Sequence, residues 1–321
     1  MTILLRFAAL LLAVTPISSF AAEFDHSKWS DLLQKYVIVA PDGAGSSINY
    51  AAVGENRANL DIYLSTLSSV DRREFDGWTK KEQLAFLINA YNAWTVDLVL
   101  TGYPDIGSIR DLGGLTQSPW QKPFIPLFGK MVTLDDIEHG MIRGSGRYND
   151  PRIHFAVNCA SIGCPALANH AYVAADLDAQ LDAATQAFLS DRSRNRKEAD
   201  GLALSSIFNW YGGDFAKGWM DAESLEEFLA LYADALQLTE DEVDALVLGE
   251  MPIRFLDYDW RLNDSKGPVA KRYSTLISPL WLIRGNPLLG AAALAILAGL
   301  VALLFYAVRR RQRKKASRPI M

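Results

Sequence analysis

Apolar and polar positions alternate in ways that assign most of this chain to helices. Near the start, Phe7 to Val14 form an uninterrupted apolar run, too short to cross a bilayer. Leu60, Leu64 and Leu67 recur at helical spacing and predict a helix over 58–70. Residues 84–94 are apolar on nearly every side, so the helix over 79–100 is expected to be buried on most faces. Thr79 and Glu82 have the spacing of a capping box, and Gly102 and Pro104 supply the stop. Thr133 to Asp136 start another capped helix, which carries His139. Residues 152–158 alternate with period two and predict a strand, Ile153, Phe155 and Val157 on one side and His154 and Asn158 on the other. Further helices are expected over 30–37, 176–190, 225–236 and from Thr239. Asp200-Gly201 marks a hairpin leading to a strand over 202–204, and a last strand covers 253–258. Helices outnumber strands and do not alternate regularly with them. The expected class is therefore α+β, a mainly helical single domain around a small sheet.

The two ends do not belong to that domain. Residues 1–22 join one cation, Arg6, to a short apolar run and small residues, the pattern of a signal peptide. Residues 287–308 contain no charge and match the ~20 residues of a transmembrane helix. The basic tail 309–321 follows directly and favours the cytoplasmic side. The expected layout is an exported domain over 23–270, a juxtamembrane linker over 271–286, and a single-pass anchor in the inner membrane with the body periplasmic. The lipid bilayer is then a partner through the C-terminal helix.

Charge sharpens this layout. The chain holds 32 basic and 37 acidic residues; setting aside Arg6 and the seven cations of the tail leaves 24 basic residues, so the body carries a charge of about −13. Nucleic acid is excluded as a partner by that sign, whereas an envelope peptide or protein partner is compatible with it.

Asn89 and Asn92 share a face of the most apolar helix, so either a structural amide network or an active site must meet them. Asp135 and Arg143 each lie four residues from His139, as in a carboxylate-oriented imidazole or in a plain solvated ladder. The chain has only two cysteines, Cys159 and Cys164. Bonded, they close so short a loop that the gain is about 2 kcal/mol. A nucleophilic Cys159 is the leading use, with His154 or His139 as base and Glu138, Asn89 and Asn158 in support. Asn92, Ser161, Cys164 and Arg143 complete the candidate set. Its reaction would be acyl transfer or amide hydrolysis on an envelope substrate. Thiol redox chemistry, a metal site that includes His170, and a non-catalytic module with a Cys159–Cys164 disulfide remain open; no metal or cofactor is called for.

The strings Phe86 to Ala93, Asp136 to Arg143, Ile153 to Pro165 and Tyr258 to Asn263 together resemble the family known as domain of unknown function 547. The resemblance covers roughly 50–215. Its characteristic positions correspond to Asn89, Asn92, Glu138, His139, His154, Asn158, Cys159, Ser161 and Cys164. The family has no established activity, so the resemblance implies that these residues matter without assigning roles to them.

Overall fold

The computed structural model describes residues 23–267 apart from 42 and 115. These lie in one unit, 1–270; the second unit, 271–321, falls outside them, as do the segments read as signal peptide, linker, membrane span and basic tail. Among the described residues no helix is long and apolar enough to cross a membrane.

The first half is helical. α1 (Ser27–Tyr36) leads into β1 (Val37–Val39), which pairs antiparallel with β2 (Ser46–Ile48), and α2 (Tyr50–Glu55), α3 (Ala58–Ser69) and α4 (Arg72–Gly77) follow. α5 (Lys80–Leu100) starts at the expected capping box, with Thr79 and Glu82 each accepting the other's backbone N–H. It is buried from Gln83 to Val99, and the first hydrophobic core is built around it. A short hairpin, β3 (Ile125–Leu127) with β4 (Lys130–Val132), leads to the segment beginning at Thr133. Thr133 and Asp136 cap each other as expected, but the helix that follows, Asp136–Arg143, is wound as a π-helix.

The second half is organised by a three-stranded sheet. After α6 (Leu177–Leu189), β5 (Arg196–Glu198) pairs antiparallel with β6 (Gly201–Ser205), and β6 pairs parallel with the late β7 (Ile253–Leu256). Gly201 has φ +142°, and a Cβ there would meet Pro252 O at 2.1 Å, so only glycine allows hairpin and parallel pairing to coexist. α7 (Ser206–Trp210), α8 (Gly212–Phe215), α9 (Leu225–Ala230), α10 (Ala233–Leu236) and the capped α11 (Glu240–Val247) fill the crossover. The single helix expected over 225–236 is thus two. The class is α+β, with three small sheets where one was expected.

Residues 152–158 are a correction. They form a 3-10 helix, Pro151–Phe155, and a turn rather than a strand. Pro151 stands at the first helical position and Asp150 caps it by accepting the Arg152 N–H at 3.0 Å. Tertiary packing explains why the alternation misleads. Ile153, Ala156 and Val157 enter the first core, whereas Phe155 enters a second core with Phe188, Phe208, Phe215 and Phe228. Arg152 and His154 are buried too, so there is no solvent face for a period of two to mark. Cys159 consequently follows a helical turn between the two cores, not a strand end.

Candidate active site

The loop from Cys159 to Cys164 is held from both sides. On the first-core side, Asn92 accepts the Asn158 N–H (2.8 Å) and donates to Ala156 O (2.9 Å). Asn158 in turn accepts the Ala160 N–H (2.9 Å) and donates to Pro165 O (2.8 Å). Ala160 has φ +61°, a conformation that L residues adopt only when their surroundings impose it, and this amide network does so. From the C-terminal side, Ile162 N–H donates to Arg261 O (2.8 Å), Gly163 N–H to Asp259 O (2.9 Å) and Asn263 N–H to Ala160 O (3.1 Å). A Cβ on Gly163 would lie 3.0 Å from the Tyr258 ring, so glycine lets that ring rest against the loop.

Cys159 and Cys164 are bonded to each other. Cys159 is half-buried and Cys164 is buried. Two donors converge on the Cys164 sulfur: the Cys159 backbone N–H at 2.9 Å and the Tyr258 hydroxyl at 3.0 Å. The same hydroxyl lies 3.1 Å from Cys159 Sγ, and Ser161 Oγ lies 3.6 Å from it. Burial, more than the neighbouring charges, pushes the Tyr258 phenol far above its ordinary value, so it stays protonated and available as a donor. Arg194 donates to Cys164 O and fixes the loop's far end.

The disulfide forms part of the wall of a cavity of about 260 Å³. Glu138 and His139 from the π-helix and His154 from the 3-10 helix face it, together with Asp135, Tyr91 and Tyr211. His139 accepts from Arg143 Nη1 at Nδ1 (2.7 Å), which leaves Nε2 as its N–H, 3.7 Å from Asp135. Glu138 Oε1 lies 3.6 Å from the same Nδ1. Burial and then the Glu138 charge push the Tyr91 phenol up, and the same two causes act on Tyr211.

His154 is buried and stacked on Tyr211, ring centroids 4.2 Å apart, with Nε2 2.8 Å from Asp214 Oδ2. Burial holds its pKa below the usual value despite that carboxylate. Burial would raise the Asp214 carboxyl, but hydrogen bonds from His154, Arg143 (2.5 Å) and Lys217 (2.7 Å) outweigh it and hold it far below the usual range. Among the described residues, no hydrogen bond joins either imidazole to a sulfur; Tyr258 occupies that position.

The structure therefore brings Cys159, Cys164, Glu138, His139 and His154 to one cavity. The amides do something else. Asn89 pairs in both directions with the backbone of Tyr172 (2.7 and 3.0 Å), and Asn92 and Asn158 hold the loop, so all three serve the backbone rather than an imidazole. His170 lines a separate cavity. Among the described residues no group of three or more His, Cys, Asp or Glu side chains has the arrangement to hold a metal ion.

Two residues that shape the site escaped the candidate set. Tyr258 opens the string Tyr258 to Asn263, and Asp214 lies among Phe208, Trp210, Tyr211 and Phe215. For Tyr258 that string was the signal in sequence, whereas for Asp214 only the bunching of aromatic residues around it gave one.

Residues 75–189 match the family model described as "Protein of unknown function, DUF547". The match includes every characteristic position from Asn89 to Cys164 and stops short of Asp214 and Tyr258. No curated protein and no solved structure matches the chain.

Proposed function

We propose that this is an exported, membrane-tethered envelope protein whose reactive centre is the Cys159–Cys164 pair, and that it exchanges this disulfide with a thiol admitted to the cavity. The observation that carries the reading is the convergence of the Cys159 N–H and the Tyr258 O–H on Cys164 Sγ. An incoming thiolate attacks the more accessible Cys159 sulfur. The new S–S bond forms there as the old one breaks, and its electron pair leaves on Cys164 as a thiolate. Two hydrogen bonds stabilise that leaving group, and exchange is faster the more stable the departing thiolate. A second thiolate then displaces Cys159, giving a substrate disulfide and the dithiol protein. The disulfide supports export, because such bonds persist in oxidising compartments. Tethering to the inner membrane rests on residues 287–308 and 309–321.

Equilibrating the full chain in nonionic detergent with glutathione buffers of graded potential tests this. Counting alkylated cysteines by mass should give a reversible two-electron transition of Cys159 with Cys164. A bond that no buffer reduces without denaturant overturns the reading and leaves a non-catalytic module with a structural disulfide.

One observation favours a second use of the same sulfur: His154, which Asp214 holds from behind, and His139 line the same cavity. Once reduced, Cys159 is a nucleophile for acyl transfer there. A stoichiometric acyl-enzyme formed from an activated ester by the reduced chain, and lost in His154→Gln and His139→Gln, would distinguish this reading from exchange.

A further inference from the structure

The cavity mouth is unusually aromatic. Trp210 stacks on Trp260 with centroids 5.7 Å apart, Trp120 meets Trp260 edge-on at 5.9 Å, and Tyr258 lies 4.5 Å from Trp260. Trp210 is 46% exposed at this rim, a large apolar ring left facing solvent. Rings of this cluster already carry cations: Arg110 lies over Trp260 at 5.0 Å and Arg143 over Tyr211 at 4.5 Å. On the inner wall, Asp135 and Glu138 both lie beside the His139 ring, 3.7 and 3.6 Å from its nitrogens, Glu138 also accepts hydrogen bonds from Tyr91 and Tyr211, and no lysine or arginine pairs with either carboxylate among the described residues. Arg143 is instead committed to Asp214. Both carboxylates are well covered, with side-chain exposures of 30% and 8%. Aromatic faces and carboxylates in a sheltered space together attract an organic ammonium group. A volume of about 260 Å³ suits one side chain or a small molecule rather than a polymer chain.

We propose that the cavity binds an organic ammonium group between the tryptophan rim and the Asp135 and Glu138 carboxylates, so that its thiol partner is a cationic aminothiol or a cysteine beside a basic side chain. The ammonium half stands alone, whereas the thiol half rests on the exchange reading above. Two measurements on the full chain in nonionic detergent keep them apart.

The first is tryptophan fluorescence during titration with butylammonium chloride, with sodium chloride, butyrate and N-acetylglucosamine as controls. Butylammonium should give a saturable change that is reduced in Trp210→Phe. Losing one charge partner should weaken binding about tenfold in Glu138→Gln and in Asp135→Asn, the equivalent of about 1.4 kcal/mol. Unfolding midpoints would confirm that the variants are folded. Equal response to the sugar or to butyrate, or unchanged affinity in both folded variants, overturns the proposal; the sugar outcome would assign the rim to carbohydrate.

The second is the rate at which 2-aminoethanethiol, 2-mercaptoethanol and 3-mercaptopropionate reduce Cys159–Cys164, compared per unit of thiolate. The cationic thiol should lead the anionic one by roughly tenfold, and Glu138→Gln should erase most of that lead. Ammonium binding without any reduction refutes exchange and leaves the cation site standing. Reduction at equal rates by all three thiols, with no ammonium binding, refutes the cation site and leaves exchange standing.

Discussion

The two hydrophobic cores are built differently, and the site lies along their seam. The first surrounds α5, a helix buried from Gln83 to Val99, two of whose polar residues, Asn89 and Asn92, each satisfy backbone groups of other segments. The second is a stack of phenylalanines beside β6, with Phe155 lying between 5.2 and 6.3 Å from Phe188, Phe208, Phe215 and Phe228. Residues 151–164 feed side chains into both. Ile153 and Val157 enter one core and Phe155 the other, although a regular strand would point all three the same way, and His154, Cys159 and Cys164, which enter neither core, face the cavity. The comparison teaches that the candidate site lies where packing obligations change hands.

Breaking the second core should have the largest effect. Phe155→Ala removes the ring that ties the strip to it, and a cost of about 3–5 kcal/mol is expected from the cavity left behind. Urea unfolding followed by circular dichroism would measure this. A loss below about 1 kcal/mol would mean that the strip is not anchored there.

Next comes the first core's hold on the loop. Asn92→Ala leaves the Asn158 N–H and Ala156 O unpaired in the interior, at about 1–3 kcal/mol for each buried group left unsatisfied. The same variant should speed reduction of Cys159–Cys164, because the Ala160 conformation loses part of its support. A variant that is destabilised but reduced at the wild-type rate would separate the amide network from the site.

The effect that is smallest at neutral pH sharpens the contrast at the first core's edge. His26 is buried against Phe24 and Phe86, with Nδ1 2.7 Å from the Tyr63 hydroxyl. Burial lowers its pKa from 6.5 to about 4, only slightly offset by Asp25. The unfolded chain therefore binds the proton more readily than the folded one, and stability falls as pH drops from about 6.5 towards 4. His26→Gln should flatten that slope in thermal melts at stepped pH; an unchanged slope would move its origin elsewhere, with buried His154 the next group to test.

What the chain made legible follows the same division. The capping boxes at Thr79 and Thr239 and the all-round apolar stretch 84–94 are local signals, and the elements formed where those signals lie. Cys159, His139 and His154 do line one cavity, but not by way of the strand that the alternation at 152–158 suggested. Three features resisted. The alternation at 152–158 mimics a strand although Arg152, His154 and Asn158 are buried like their apolar neighbours, so it marks no solvent face. The π-winding after Thr133 leaves a capping pattern identical to that of an α-helix. Asp214 and Tyr258 reach the site through contacts 60 and 99 residues apart in sequence, a distance that no local pattern encodes.

The central claim is that Cys159 receives the incoming thiol and Cys164 leaves. Quenching a partial reduction of the full chain by glutathione with acid, then mapping the mixed disulfide by peptide mass spectrometry, tests it directly. Glutathione should be found on Cys159, and Tyr258→Phe, which deletes one of the two donors to the leaving sulfur, should form the adduct several-fold more slowly. Glutathione on Cys164, or a Tyr258→Phe chain that reacts as fast as the wild type, would contradict it.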